Sequence, residues 1–137
     1  MFFPVVNYIN FNTPNCGQNG VSFTADQLRS GAAQNIDTAT NLSVHVDGKP
    51  ISGMVRVKSV VFAVTVPPDN IWGPNACATG VSLAAGSYSP GIDDGYYTLL
   101  APLSVGTHTL HIQGQVPMAG VTIDVTYNLT IVSVVLK

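Results

Sequence analysis

Charge is what this sequence has least of. Only 9% of its 137 residues are charged, against roughly a quarter in an ordinary soluble domain. The five basic residues, Arg29, Lys49, Arg56, Lys58 and Lys137, are scattered, and the formal net charge is −2. Nucleic-acid binding needs a basic stripe that neutralises several phosphates together. None is present, so no nucleic-acid partner is expected, and a polybasic membrane anchor fails for the same reason. Long apolar runs are missing too. Nothing approaches the roughly 20 residues of a membrane-spanning helix, and no membrane span is expected. Cysteine is scarce: Cys16 and Cys77 lack metal-type spacing to each other or to a histidine, which argues against a structural Cys/His zinc site. They form one disulfide in an oxidising compartment or remain two buried thiols. The opening MFFPVVNYIN is broken too soon by Asn7 for a signal-peptide core and has neither a charged start nor a small-residue cleavage site. The expectation is a secreted or periplasmic protein whose leader is absent from this chain.

Solubility must then rest on Thr, Ser, Asn, Gln and Gly, which suit turns and exposed strand faces. A mean hydropathy of +0.32 is high for a soluble monomer, so some apolar surface is expected to be covered by a partner or a second copy. Period-2 runs dominate. VTIDVTYNLTIV (121–132) sends Val121, Ile123, Val125, Tyr127, Leu129 and Ile131 one way and its polar residues the other. LSVHV (42–46), YYTLL (96–100) and THTLHI (107–112) behave alike, and VVFAVTV (60–66) is apolar enough on both faces for a central strand. Asp47-Gly48 reads as a tight turn before ISGMVRV, Asp94-Gly95 as the turn opening YYTLL, and Val105-Gly106 as the one opening THTLHI. Pro67-Pro68, Pro90, Pro102 and Pro117 fall between runs, where a missing N–H breaks no ladder. The last run would be about 43 Å long if straight, so a bend, a bulge or a switch between sheets is expected.

One stretch follows another period. TADQLRSGAAQNID (24–37) opens with Thr24 and Gln27 in capping-box spacing, then places Leu28, Ala32 and Ile36 at helical intervals. Gly31 weakens that helix by about 1 kcal/mol. These elements predict an all-β, two-sheet antiparallel sandwich, immunoglobulin-like or jelly-roll, with about eight or nine strands and one short helix near 24–37 crossing one end. The length suits a single domain over 1–137.

The blocks FFPVVN, ATNLSVHVDGKPI, VFAVTVP with DNIWG, GSYSPGIDDGYYTLLAPLSVGTHTLHI and DVTYNLTIV together resemble a family of uncharacterised secreted bacterial β-sandwich proteins. The resemblance covers more than half the chain in order. It implies location and fold, and no reaction. Members usually begin earlier, with a leader and an extra strand ahead of FFPVVN, so the expectation is a sandwich that lacks an N-terminal strand here. A missing edge strand leaves unpaired backbone groups beside apolar side chains. A homo-oligomer formed through edge strands, or by exchange of the N-terminal segment, follows. In a bacterial protein the Asn41-Leu42-Ser43 and Asn128-Leu129-Thr130 sequons carry no meaning.

Candidate sites are few. His108 and His111, three apart, fall on opposite faces of a strand and cannot share a metal ion without a bulge. His108 shares its face with Leu110 and Ile112; His111 could meet His45 only if their strands are neighbours. Asp93 and Asp94 read as an Asx-turn before Gly95 in preference to a calcium loop. Gly80-Val81-Ser82-Leu83-Ala84 loosely matches a serine elbow but lacks the strand and helix that motif needs. No metal, cofactor or catalytic residue is expected. The loop PPDNIWGPNACATG (67–80) holds the single tryptophan, Trp72, beside Asp69 and Asn70. An exposed Trp among carboxylate and amide groups suits a carbohydrate or another small ligand, while a Trp plugging the sandwich end is the plain alternative. The expected ligand surface is Trp72, Asp69, Asn70, Asp93, Asp94 and Tyr96, and Tyr88 and Tyr97 could extend either picture. A non-catalytic binding or assembly module is the expected function. The competing classes are a small hydrolase or isomerase with His45, His111 or an Asp lining a pocket between the sheets, and an adhesive or structural subunit.

Overall fold

A computed structural model describes residues 1–133; Lys137 lies outside them. The architecture is all-β and two-sheeted. In chain order the elements are β1 (Phe2–Phe11), α1 (Ala25–Ile36), β2 (Thr40–Val46), β3 (Lys49–Pro50), β4 (Val55–Lys58), β5 (Phe62–Val66), β6 (Gly86–Leu99), β7 (Gly106–Val116), a 3-10 turn (Pro117–Ala119) and β8 (Val121–Ile131). One sheet has the order β1-β6-β4, with β5 also on β6; the other runs β3-β2-β7-β8. The helix begins as its sequence dictates. The Thr24 N–H donates to Gln27 Oε1 at 2.8 Å and the Gln27 N–H to Thr24 Oγ1 at 3.3 Å, which completes the capping box. Leu28, Ala32 and Ile36 are the buried stripe, each no more than 1% exposed.

The chain gathers into two compact units. The first comprises Met1–Tyr8, Gln34–Val57 and the chain from Gly95 on. Its core holds Val5, Val44, Val46, Leu100, Leu110 and Ile112, side chains from both sheets, each contributing about 1.5–3 kcal/mol when fully buried. A second cluster joins Val6, Ile36 and Val116. The β2–β3 turn has φ +49° at Asp47 and +74° at Gly48, the two left-handed positions that a two-residue hairpin demands. The other unit comprises Ile9–Ala33 and Lys58–Asp94, with Leu28, Ala32, Val66, Leu83 and Ile92 buried. Within it the Asn10 amide donates to the Leu28 carbonyl at 3.3 Å and the Arg29 guanidinium to the Ser59 carbonyl at 2.8 Å.

Five expectations change. Asp93-Asp94-Gly95 is not a turn, for β6 runs unbroken through all three residues. Gly95 is needed for proximity: a Cβ there would stand 2.5 Å from the Asn7 Cβ and 2.6 Å from the Val6 carbonyl oxygen on β1. Pro90 also lies inside β6, at a register shift where Phe62 pairs Gly91 and Val64 pairs Tyr88. Ser89 and Pro90 thus stand opposite Ala63 alone, and a bulge is where a strand tolerates proline. β5 is no central strand. It pairs only with β6 among the described residues, and Val60, 83% exposed, lies before it. ISGMVRV is not one strand either: residues 51–54 carry no strand, only its last three residues belong to β4, and the strand that follows the Asp47-Gly48 turn is the two-residue β3. Finally, β8 carries no bulge against β7 and does not switch sheets. It pairs β7 in eleven consecutive steps from Val121↔Val116 to Ile131↔Gly106, since β7 is equally long and follows it throughout.

Candidate functional site

Cys16 and Cys77 are joined in a disulfide, with Cα atoms 4.4 Å apart. Each lies in a loop held by neutral side chains. The Thr13 hydroxyl donates to the Cys16 carbonyl at 2.9 Å, and Gln18 Oε1 accepts the Thr13 N–H at 3.1 Å. In the second loop Asn75 Oδ1 accepts the Gly80 N–H at 2.8 Å, while Cys77 and Val81 are bridged by an N–H to carbonyl bond of 3.0 Å. Asx-type bonds of this kind let a loop satisfy its own backbone without charge.

Beside the bridge is a cleft of about 470 Å³, lined by residues 12–16 and by Cys77, 81–84 and 87–89. Its polar groups are the amides of Asn12 and Asn15 and the hydroxyls of Thr13, Ser82, Ser87, Tyr88 and Ser89; no Asp, Glu, Lys, Arg or His lines it. The Tyr88 hydroxyl donates to the Ala84 carbonyl at 2.7 Å, which fixes the ring. A smaller depression of about 180 Å³ contains Trp72 and shares Thr13, Cys16 and Leu83 with the cleft. Trp72 is 44% exposed and meets Phe11 edge-on, ring centroids 5.6 Å apart; Phe11 also lies 5.8 Å from Tyr88. The tryptophan is therefore neither free-standing nor a buried plug.

Its sequence neighbours do other work. Asn70 organises the loop: its amide donates to the Leu83 carbonyl at 3.0 Å and the Pro67 carbonyl at 3.2 Å, and its oxygen accepts the Trp72 N–H at 3.1 Å. Asp69 is exposed in the same loop. Asp93 is held on β6 by Ser59, whose hydroxyl accepts its N–H at 2.8 Å and whose N–H donates to its carbonyl at 2.9 Å. Asp94 is buried, 3% exposed, and Tyr96 packs against the Val6, Ile36 and Val116 cluster. Asp93, Asp94 and Tyr96 line neither depression. The sequence reading singled out Cys16, Cys77, Tyr88 and the 80–84 stretch separately and did not join them into a cleft, although NFNTPNCGQNG and NACATGVS both carry its signal, small polar side chains crowded around a cysteine.

The histidines fall as the two-residue period required. His111 pairs with His45 across β7 and β2, rings 6.2 Å apart, and its Nε2 lies 2.7 Å from Asp124 Oδ1. The Asp124 carboxyl is held below its usual range by His111 first and Gln113 second. No group of three potential ligands able to hold a metal occurs among the described residues. On the other face His108 Nδ1 is 2.7 Å from Asp47 Oδ2, and Nε2 is 3.0 Å from the Ser104 carbonyl and 3.3 Å from the Ser104 hydroxyl. Ser104, His108 and Asp47 thus share the connectivity of a hydrolytic triad, yet their chemistry differs. When protonated, the imidazole gives one N–H to the carboxylate and the other to the Ser104 carbonyl, and it then has no lone pair to activate a hydroxyl. The Asp47 hydrogen bond, and then the Ser104 carbonyl, raise the His108 pKa accordingly. The trio fastens the β2–β3 turn to the start of β7.

Fold and site together define a two-sheet β-sandwich protein carrying an uncharged, disulfide-flanked cleft. Comparison with protein-family models, curated proteins and solved structures gives no match.

Proposed function

We propose that the chain is a non-catalytic binding module acting outside the cytoplasm, and that the cleft beside Cys16–Cys77 takes a neutral, hydroxyl-rich ligand of the carbohydrate class. The observation that carries this reading is the lining: amides, hydroxyls and an aromatic ring with no acid, base or cation. General acid–base chemistry needs at least one titratable group within reach of the reacting atoms, whereas sugar recognition needs amide and hydroxyl partners beside an aromatic surface. The disulfide supports a compartment where thiols oxidise. The single tryptophan supplies the assay. Titrating a panel of oligosaccharides should change Trp72 fluorescence, and Tyr88→Ala should weaken the responding sugar at least tenfold. A panel that leaves both the emission and the cleft amide resonances unmoved would sink the proposal. Ester hydrolysis lost in His111→Gln would favour the hydrolase reading instead.

A further inference from the structure

Among the described residues the outer edge of β8 is bare. It is the end strand of its sheet, eleven residues long and regular against β7 from end to end. Edge strands are normally guarded by charged side chains, Lys above all, by Pro, by a bulge or by shortness. The other edges here obey that rule. β1 carries Pro4, β3 is only Lys49–Pro50, β4 carries Arg56 and Lys58, and β5 has five residues. β8 (VTIDVTYNLTI) carries a single charge, Asp124, and no Lys, Arg, Pro or bulge along its eleven residues. Its apolar face is also uncovered in the middle, with Val125 38% and Tyr127 49% exposed, whereas Ile123 and Leu129 on either side pack against the core.

We infer that β8 pairs antiparallel with β8 of a second copy around a two-fold axis at Thr126. This interaction goes beyond the ligand reading and does not depend on what the cleft binds. In the register centred on Thr126 all eleven residues find partners, and each face meets its own kind. Val125 lies against Tyr127 of the second copy, Ile123 against Leu129, Thr122 against Thr130, and Asp124, the only charge on the strand, against the Asn128 amide. Centring the axis on Asp124 would set carboxylate against carboxylate, a destabilising pair. Odd-sum registers would set apolar against polar faces, because side chains alternate with period 2. The chosen axis gathers two Val125 and two Tyr127 side chains, the exposed apolar centre of the strand, onto one face. β-branched and aromatic cross-strand pairs are the favourable kind.

Thr126 makes the register testable, since it is the residue that meets itself. The protein should sediment at twice the 14.3 kDa chain mass at tens of micromolar. Thr126→Lys and Thr126→Glu, both on the exposed polar face, should each sediment as monomers with unchanged circular dichroism, and an equimolar mixture should restore the dimer. Thr126→Cys should cross-link into a covalent dimer on mild oxidation, because directly opposed strand residues have Cα atoms about 4.5–5.5 Å apart, within disulfide reach. Thr122→Cys, which faces Thr130 of the second copy, should not cross-link alone. A monomeric wild type, or a dimer indifferent to both charge variants, overturns the inference. A dimer that cross-links through Thr122→Cys and not Thr126→Cys overturns the register.

Discussion

His108 ties together residues far apart in sequence: Asp47 and Ser104, 61 and four positions away. Its imidazole is raised by the Asp47 hydrogen bond, then by the Ser104 carbonyl. Asp47 is lowered by His108, then by the Thr109 N–H. The histidine's contribution to stability is complete below its ordinary value of 6.5 and is lost as pH rises through the raised folded value. The aspartate's is complete above 3.8 and is lost as pH falls through the lowered one. The fastening is therefore whole between 3.8 and 6.5. Wild-type Tm should drop more between about pH 6 and 8 than that of His108→Gln, by the small amount expected of an exposed pair; equal drops in thermal melts would refute this. The two-residue period revealed that His108 and His111 face apart. It could not reveal that the Asp47 carboxylate lies across the sheet, because strand order is invisible in local pattern.

At the scale of elements, α1 and β6 teach opposite lessons. The helix was legible to within a residue or two because its cap and buried stripe are local, so Gly31 can be judged from local terms as well. A Cβ at Gly31 would meet only the Asn10 amide nitrogen, at 3.4 Å, the end of a flexible side chain. Gly31→Ala should stabilise the protein by up to about 1 kcal/mol in chemical denaturation. β6 was misread because Pro, Asp-Asp and Gly are ordinarily punctuation. Here a bulge absorbs Pro90 and the close approach of β1 requires Gly95, both facts of pairing between distant segments. Gly95→Ala should therefore cost about 1–3 kcal/mol or more, since the atoms in the way are Asn7 and Val6 main chain and Cβ. A cost within measurement error would mean that β1 can move aside.

For the molecule as a whole, composition and periodicity disclosed the class, two sheets with a helix, while the cleft depends on two loops brought together by one covalent bond. That pairing was open in the sequence, as were the polar groups it assembles. Cys16–Cys77 spans 61 residues, and constraining a loop of that size in the unfolded chain is worth about 4 kcal/mol on the chain-entropy model. Reduction, or Cys16→Ser with Cys77→Ser, should lower the denaturation free energy by about 2–4 kcal/mol and abolish the sugar response of Trp72. An undiminished response would show that the cleft stands without its bridge.

Among the described residues the ladder between β7 and β8 has a bare side, and deuterium should read it. In an antiparallel end strand alternate amides point inward to a partner and outward to water. Transfer to heavy water should thus label every second position from Val121 to Ile131 quickly and leave those between slow, an on–off rhythm that fades as protein concentration rises.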